Sequence, residues 1–127
     1  MGAASELRQY GARARSTDIF GRVLCSGREN HFVVDGPVWN GCPGEAVTPG
    51  ELFLAGVAAC AVELLQVIAR ERDVGLGRVA VVIDGTIDRN RPVRPDLSLF
   101  NAVRLGIELV GVTEQEAGQL VKSFKGR

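Results

Sequence analysis

Residues 48–60 read TPGELFLAGVAAC, and that stretch decides the fold. Thr48 is a good helix N-cap, Pro49 suits the first helical position, where no N–H is needed, and Glu51 completes a T-x-x-E capping box. The chain then stays almost wholly apolar to Ala69, so one long helix is expected from Thr48 to about Arg72, with Gly75 beyond it as the stop. Ala55, Gly56, Ala58, Ala59 and Cys60 are small enough for another helix to cross closely. Residues 52–69 would pass as a membrane span by hydropathy, but Glu63 and Gln66 in the centre argue against lipid around them. The expectation is a core helix, apolar on every side and buried all round.

Working outward, the flanks read as strands. LRQYGARARS (7–16) and GRVLCSG (21–27) are short strands with a polar STD turn between them. NHFVVDGP (30–37) mixes β-branched and aromatic residues before a Gly-Pro stop, which makes an antiparallel meander. VWNGCPGEAV (38–47) is a loop by its Gly and Pro content. Beyond the helix, RVAVVIDGTID (78–88) is a strand and RNRPVRPD (89–96) a turn-forming loop. In LFNAVRLGIELVG (99–111), Val103, Leu105, Ile107 and Leu109 alternate with Arg104, Gly106 and Glu108, the pattern of a half-buried strand. A second capping box, Thr113 with Glu116, opens a last helix whose Ala117, Leu120, Val121 and Phe124 share a face. The order β-β-β-α-β-β-α points to an α+β fold, a single domain over residues 1–127. One small sheet does not cover both helices, so a homodimer is expected to bury part of the long one.

Fifteen basic residues balance fifteen acidic ones, so no charge field recruits nucleic acid or a membrane surface. Residues 1–16 lack the apolar core of a secretory signal. Cys25, Cys42 and Cys60 form neither a CxxC motif nor an even disulfide set, which fits reduced thiols in a cytoplasmic protein. His31 is the only histidine, and with scattered cysteines it makes no metal site; no cofactor is expected.

Cys60 has two readings, a small core hydrophobe or a working nucleophile. It lies too far into the helix for the N-terminal dipole to reach it. Glu51 stands nine residues earlier, roughly 13.5 Å and a half-turn away, so the two meet only across a partner helix such as a symmetry mate. Glu63, at i+3, shares the face of Cys60 and reads equally as a proton acceptor or as a polar anchor. Cys25 and His31 read as structural strand residues, and Cys42 as an exposed loop thiol.

HFVVDGP, a Gly-containing loop and TPGELFLAGVAAC, followed by VAVVIDGTIDR, LFNAVRLGIELVGV and TEQEAGQLVKSF, resemble the OsmC/Ohr family of thiol peroxidases over essentially the whole chain. The Pro-x-Glu-Leu form at Pro49–Leu52 is similar to its OsmC-like branch; Gly50 stands where other branches place the glutamate. The resemblance implies an intertwined homodimer with long central helices, and reduction of organic hydroperoxides by a peroxidatic Cys60 at the expense of a thiol reductant. It implies a helix-start carboxylate, Glu51, and an arginine from the early turn as partners of the thiolate. Ile19 occupies the aligned position of that arginine, which leaves Arg22 as the choice and Arg15 as its neighbour. It also implies a resolving thiol in a Cys-Pro segment after the last helix. The sequence ends at Arg127, where that segment would begin, so the domain is expected to be cut short there relative to the family, with Cys42 or an external thiol as the other resolving candidates. The alternative is a non-catalytic protein of this fold that binds a small hydrophobic ligand in the dimer cleft.

Overall fold

The computed structural model of the chain describes residues 6–126; residues 1–5, the start of the segment searched for a signal, and Arg127 lie outside the described residues. The elements are β1 (Arg13–Ser16), β2 (Arg22–Gly27), β3 (Asn30–Asp35), a 3-10 turn (Val38–Asn40), α1 (Pro49–Glu71), β4 (Arg78–Thr86), β5 (Ala102–Val110) and α2 (Glu114–Lys125). Strands and α-helices follow the expected order. The chain divides into two compact units, one ending at Leu52 and the other beginning at Phe53.

The first unit is an antiparallel sheet in the order β1-β2-β3. β1 is shorter than the 7–16 stretch expected. Its first residue, Arg13, pairs with Ser26 near the end of β2, and β2 then turns away through Arg28 at φ 53°, so the β1–β2 ladder ends there. At the other end of the sheet, Arg22 opens β2 directly opposite Asp35, which closes β3.

In the second unit β4 and β5 pair over nine residues each, from Arg78↔Val110 to Thr86↔Ala102. Both strands alternate, and Val79, Ile107 and Leu109 pack against a core of Leu65, Ile68 and Ala69 from α1 and Leu120 from α2. Each such leucine or isoleucine contributes about 1.5–3 kcal/mol by leaving water. Val121 and Phe124 complete the face of α2 read from the sequence, and Thr113 and Glu116 form the second capping box.

The stop of α1 differs from the expectation. Asp73, at φ 55°, takes the left-handed position two residues before Gly75. Its N–H bonds the Arg70 carbonyl at 3.2 Å, and the Val74 N–H bonds the Ala69 carbonyl at 2.8 Å. That is a Schellman end, with Val74 packed on the core as its apolar contact. Aspartate is tolerated there because its short polar side chain lowers the penalty of positive φ.

Within one chain α1 is not buried all round. Ala61, Leu65, Ile68 and Ala69 are buried, the i, i+4, i+7, i+8 face that meets the core. The other side, with Phe53, Ala55, Gly56, Ala59, Cys60 and Glu63, is exposed, because a two-stranded sheet and one helix cover only one face. By length and composition α1 could also cross a membrane.

Candidate functional site

Asp35 organises the approach to α1. Its side chain is fully buried and accepts two bonds from the Arg22 guanidinium, Nε to Oδ1 at 2.8 Å and Nη2 to Oδ2 at 2.9 Å. Oδ2 also accepts the backbone N–H groups of Glu45 (2.9 Å) and Ala46 (2.8 Å), and the Asp35 N–H donates to the Val47 carbonyl at 3.0 Å. The Arg22 fork holds the Asp35 carboxyl well below the usual carboxylate range against the opposing pull of burial, and the two amides add to it. Asp35 in turn raises the Arg22 guanidinium, with help from Glu45, whose Oε1 accepts from Nη2 at 2.9 Å. Three consecutive residues are thus fixed to Asp35, two by its carboxylate and the third by its backbone N–H, and the next residue, Thr48, starts the helix.

Glu51 follows within the same unit. Thr48 donates to Glu51 Oε1 twice, from its N–H at 3.0 Å and its hydroxyl at 2.8 Å, and the Glu51 N–H returns a bond to the Thr48 hydroxyl at 3.4 Å. The Thr48 N–H and then its hydroxyl lower the Glu51 pKa. The capping box engages only Oε1, and among the described residues Oε2 meets no partner, so the carboxylate both starts the helix and presents a free oxygen.

Cys60 belongs to the second unit and is exposed rather than a packed core thiol. On its face of α1, Glu63 stands one turn after it, Gly56 one turn before and Phe53 two turns before, and all three are exposed. The Phe53 ring stacks on Phe100 with centroids 5.5 Å apart. Cys42 is less open than expected of a loop thiol: Sγ lies where a Cβ on Gly21 or Gly36 would fall, so two bare glycines make its slot. Cys25 is partly buried on the central strand, and exposed His31 shares a 2.7 Å hydrogen bond with Ser26 across the β2–β3 hairpin. Among the described residues no three His, Cys, Asp or Glu side chains gather as metal ligands.

Of the residues singled out from sequence, the first unit therefore holds Arg22, engaged by Asp35 and Glu45, and Glu51, engaged by Thr48; the second holds Cys60. Sequence reasoning missed Asp35, because an acid before Gly-Pro reads as an ordinary turn residue and only strand register sets it opposite Arg22. It also missed Phe100, which lies at the far end of the arginine-rich loop. That loop has order of its own. Asn101 accepts the Asp88 N–H (2.7 Å) and donates to the Arg91 carbonyl (2.6 Å), and Arg94 forks onto Asp96. A cavity of about 390 Å³ lies along it, lined by Ile87, Arg89, Leu97 and Leu99 among others.

A family model described as OsmC-like protein matches residues 42–126. Solved structures similar to the chain include an OsmC-like protein from Mycoplasma pneumoniae, at 15% identity and a TM-score of 0.78 over 94% of this chain and 82% of that one. An organic hydroperoxide resistance protein from Legionella pneumophila is 25% identical, with a TM-score of 0.68 over 94% of this chain and 84% of its own. One from Elizabethkingia anophelis is 22% identical, with a TM-score of 0.72 over 95% and 84%. No curated protein matches the chain significantly.

Proposed function

The chain belongs to the OsmC family, and from that premise we propose that it is a thiol-dependent peroxidase that reduces organic hydroperoxides through Cys60. The observation that carries the reading is Cys60 itself, a thiol on the exposed face of the long helix in a chain of this family. Similar folds named organic hydroperoxide resistance proteins support it.

In the proposed reaction the Cys60 thiolate attacks the terminal oxygen of ROOH. The O–O bond breaks, RO⁻ takes a proton and leaves as the alcohol, and the sulfur keeps the other oxygen as a sulfenic acid. A thiol condenses with it to a disulfide and releases water; a second thiol returns Cys60 to its reduced form. Glu51, through its free oxygen, and Arg22, whose bond to the exposed Glu45 is readily exchanged, are the proposed charged partners of the thiolate. The working form is proposed to be a cytoplasmic homodimer in which a second copy covers the exposed side of α1. Glu63 and Gln66 on that side suit a protein partner better than lipid.

Intact mass before and after about one equivalent of an organic hydroperoxide, followed by cysteine mapping, tests the reading. A gain of about one oxygen at Cys60, or a loss of about two mass units with Cys60 disulfide-linked, is expected, and the mapped partner names the resolving thiol. A pre-reduced protein whose mass does not change would sink the peroxidase and favour the ligand-binding alternative.

A further inference from the structure

We propose that the polar face of the first sheet binds a small organic phosphate, with Arg13, Arg15 and Ser26 on its phosphoryl group and Leu24 under its organic part. The site lies wholly within the first unit and uses neither Cys60 nor Glu51, so it is independent of the peroxidase reading.

Strand register gathers these residues. Arg13 pairs with Ser26 and Arg15 with Leu24, while Ser26 pairs in turn with His31 and Leu24 with Val33. Directly paired residues share a face, so a polar row of Arg13, Ser26 and His31 runs beside a row of Arg15, Leu24 and Val33. The opposite face carries Val23, Cys25, Phe32 and Val34, and is the side suited to burial against protein. The two arginines stand roughly 6.6 Å apart along β1. A groove of about 290 Å³ opens here, lined by Arg13, Ala14, Arg15, Leu24 and Ser26.

The charge on this face is one-sided. The whole chain balances fifteen basic against fifteen acidic residues, yet Asp35 is the only acid within β1, β2 and β3. Asp35 is buried and committed to Arg22. Among the described residues Arg13 and Arg15 have no ion-pair partner, and both are exposed. Charges on an edge strand also deter pairing with other chains, but that purpose asks for neither a single sign nor a groove lined by both. Ser26 adds a third donor. Its Oγ lies 2.7 Å from His31 Nδ1, and the pair keeps one hydrogen to give in either tautomer. Where Nδ1 is protonated the Ser26 hydroxyl is free to donate; where it is not, His31 Nε2–H donates instead. Two guanidiniums and that hydrogen match the three free oxygens and double charge of a phosphate monoester better than the two oxygens of a carboxylate. Half-buried Leu24, with Val33 beside it, gives the organic group an apolar floor.

NMR titration of the isotope-labelled full chain with phenyl phosphate at low ionic strength tests the site, with inorganic phosphate and benzoate in parallel. The amides of Arg13, Arg15, Ser26 and His31 should shift together and saturate. Phenyl phosphate should bind about fivefold or more tighter than either of the other two. Arg13→Gln and Arg15→Gln should each weaken it by about tenfold. Arg15→Lys, which keeps the charge but loses the planar fork, should fall between, and it preserves the comparison if a glutamine variant fails to fold. Arg78→Gln removes the same charge from β4 and should change the affinity by less than about twofold. Shifts that do not saturate on this face overturn the proposal, as does a loss in Arg78→Gln equal to that in Arg15→Gln. So does inorganic phosphate or benzoate binding as tightly as phenyl phosphate. Each of these failures leaves the reactivity of Cys60 untouched, so it is distinct from a failure of the peroxidase reading.

Discussion

Arg22 and Asp35, paired across the ends of β2 and β3, close a two-pronged ion pair with bonds of 2.8 and 2.9 Å around a carboxylate that no water reaches. Neither end of the pair is dispensable, because removing one leaves the other charged and short of partners. Every acceptor site used on Asp35 faces an N–H group, so Asp35→Asn would turn an amide donor toward either the guanidinium or the Glu45 and Ala46 amides. The expected result is a fall in Tm of roughly 10 °C, read by thermal unfolding.

The same pair sets an acid limit. Asp35 has a lower pKa folded than unfolded, so the unfolded chain binds more protons and stability rises with pH. Its contribution is complete above the ordinary aspartate value of about 4 and drains away as pH falls below it. Urea midpoints measured from pH 7 down to pH 3 should decline for wild type and decline less steeply for Asp35→Asn. Parallel acid limbs would show that Asp35 does not govern the slope.

Gly36 has ordinary φ, so alanine there meets no backbone strain, but its new Cβ would lie 2.5 Å from Cys42 Sγ and 2.9 Å from Cys42 Cβ. Gly36→Ala should destabilise by about 1–3 kcal/mol. Cys42→Gly should restore most of that loss in the double variant, and a double-mutant cycle measures the coupling. Additive effects would place the strain elsewhere.

At the end of α1, Asp73 holds a left-handed position that glycine occupies at less strain. Asp73→Gly should raise stability by about 0.5 kcal/mol, while Asp73→Ala should lower it, since alanine has neither glycine's freedom nor aspartate's polar side chain. Urea unfolding of the pair decides the sign.

The two capping boxes are predicted to respond in kind. Thr113→Ala and Thr48→Ala should each cost about 1 kcal/mol. Thr48→Ala should also let the Glu51 pKa rise toward its ordinary value without reaching it, because the larger influence, the backbone N–H of residue 48, remains. A carboxyl NMR titration of Glu51 reads this directly.

Much of the fold was legible because its signals are local. Thr48 with Glu51 and Thr113 with Glu116 each start a helix through bonds three residues apart, and the alternation through Leu105, Ile107 and Leu109 names the inner face of β5. What stayed hidden depends on residues distant in sequence. Asp35 gains its meaning from Arg22 thirteen residues earlier and from amides ten and eleven residues later. The end of β1 was fixed by where β2 turns away, and Phe100 by a bare glycine on β4. The exposure of Cys60 followed from how little of α1 one chain covers, which apolar content alone does not reveal.

The way Asp35 holds residues 45–47 has a consequence for sequence drift. All three of its contacts to that loop go to main-chain atoms, two amides and a carbonyl. The side chains of Ala46 and Val47 take no part in this anchor and are free to change, provided position 46 avoids proline, which has no N–H to give, whereas Glu45 also binds Arg22 through its carboxylate. A fold secured through peptide groups can keep its shape while its residue identities erode.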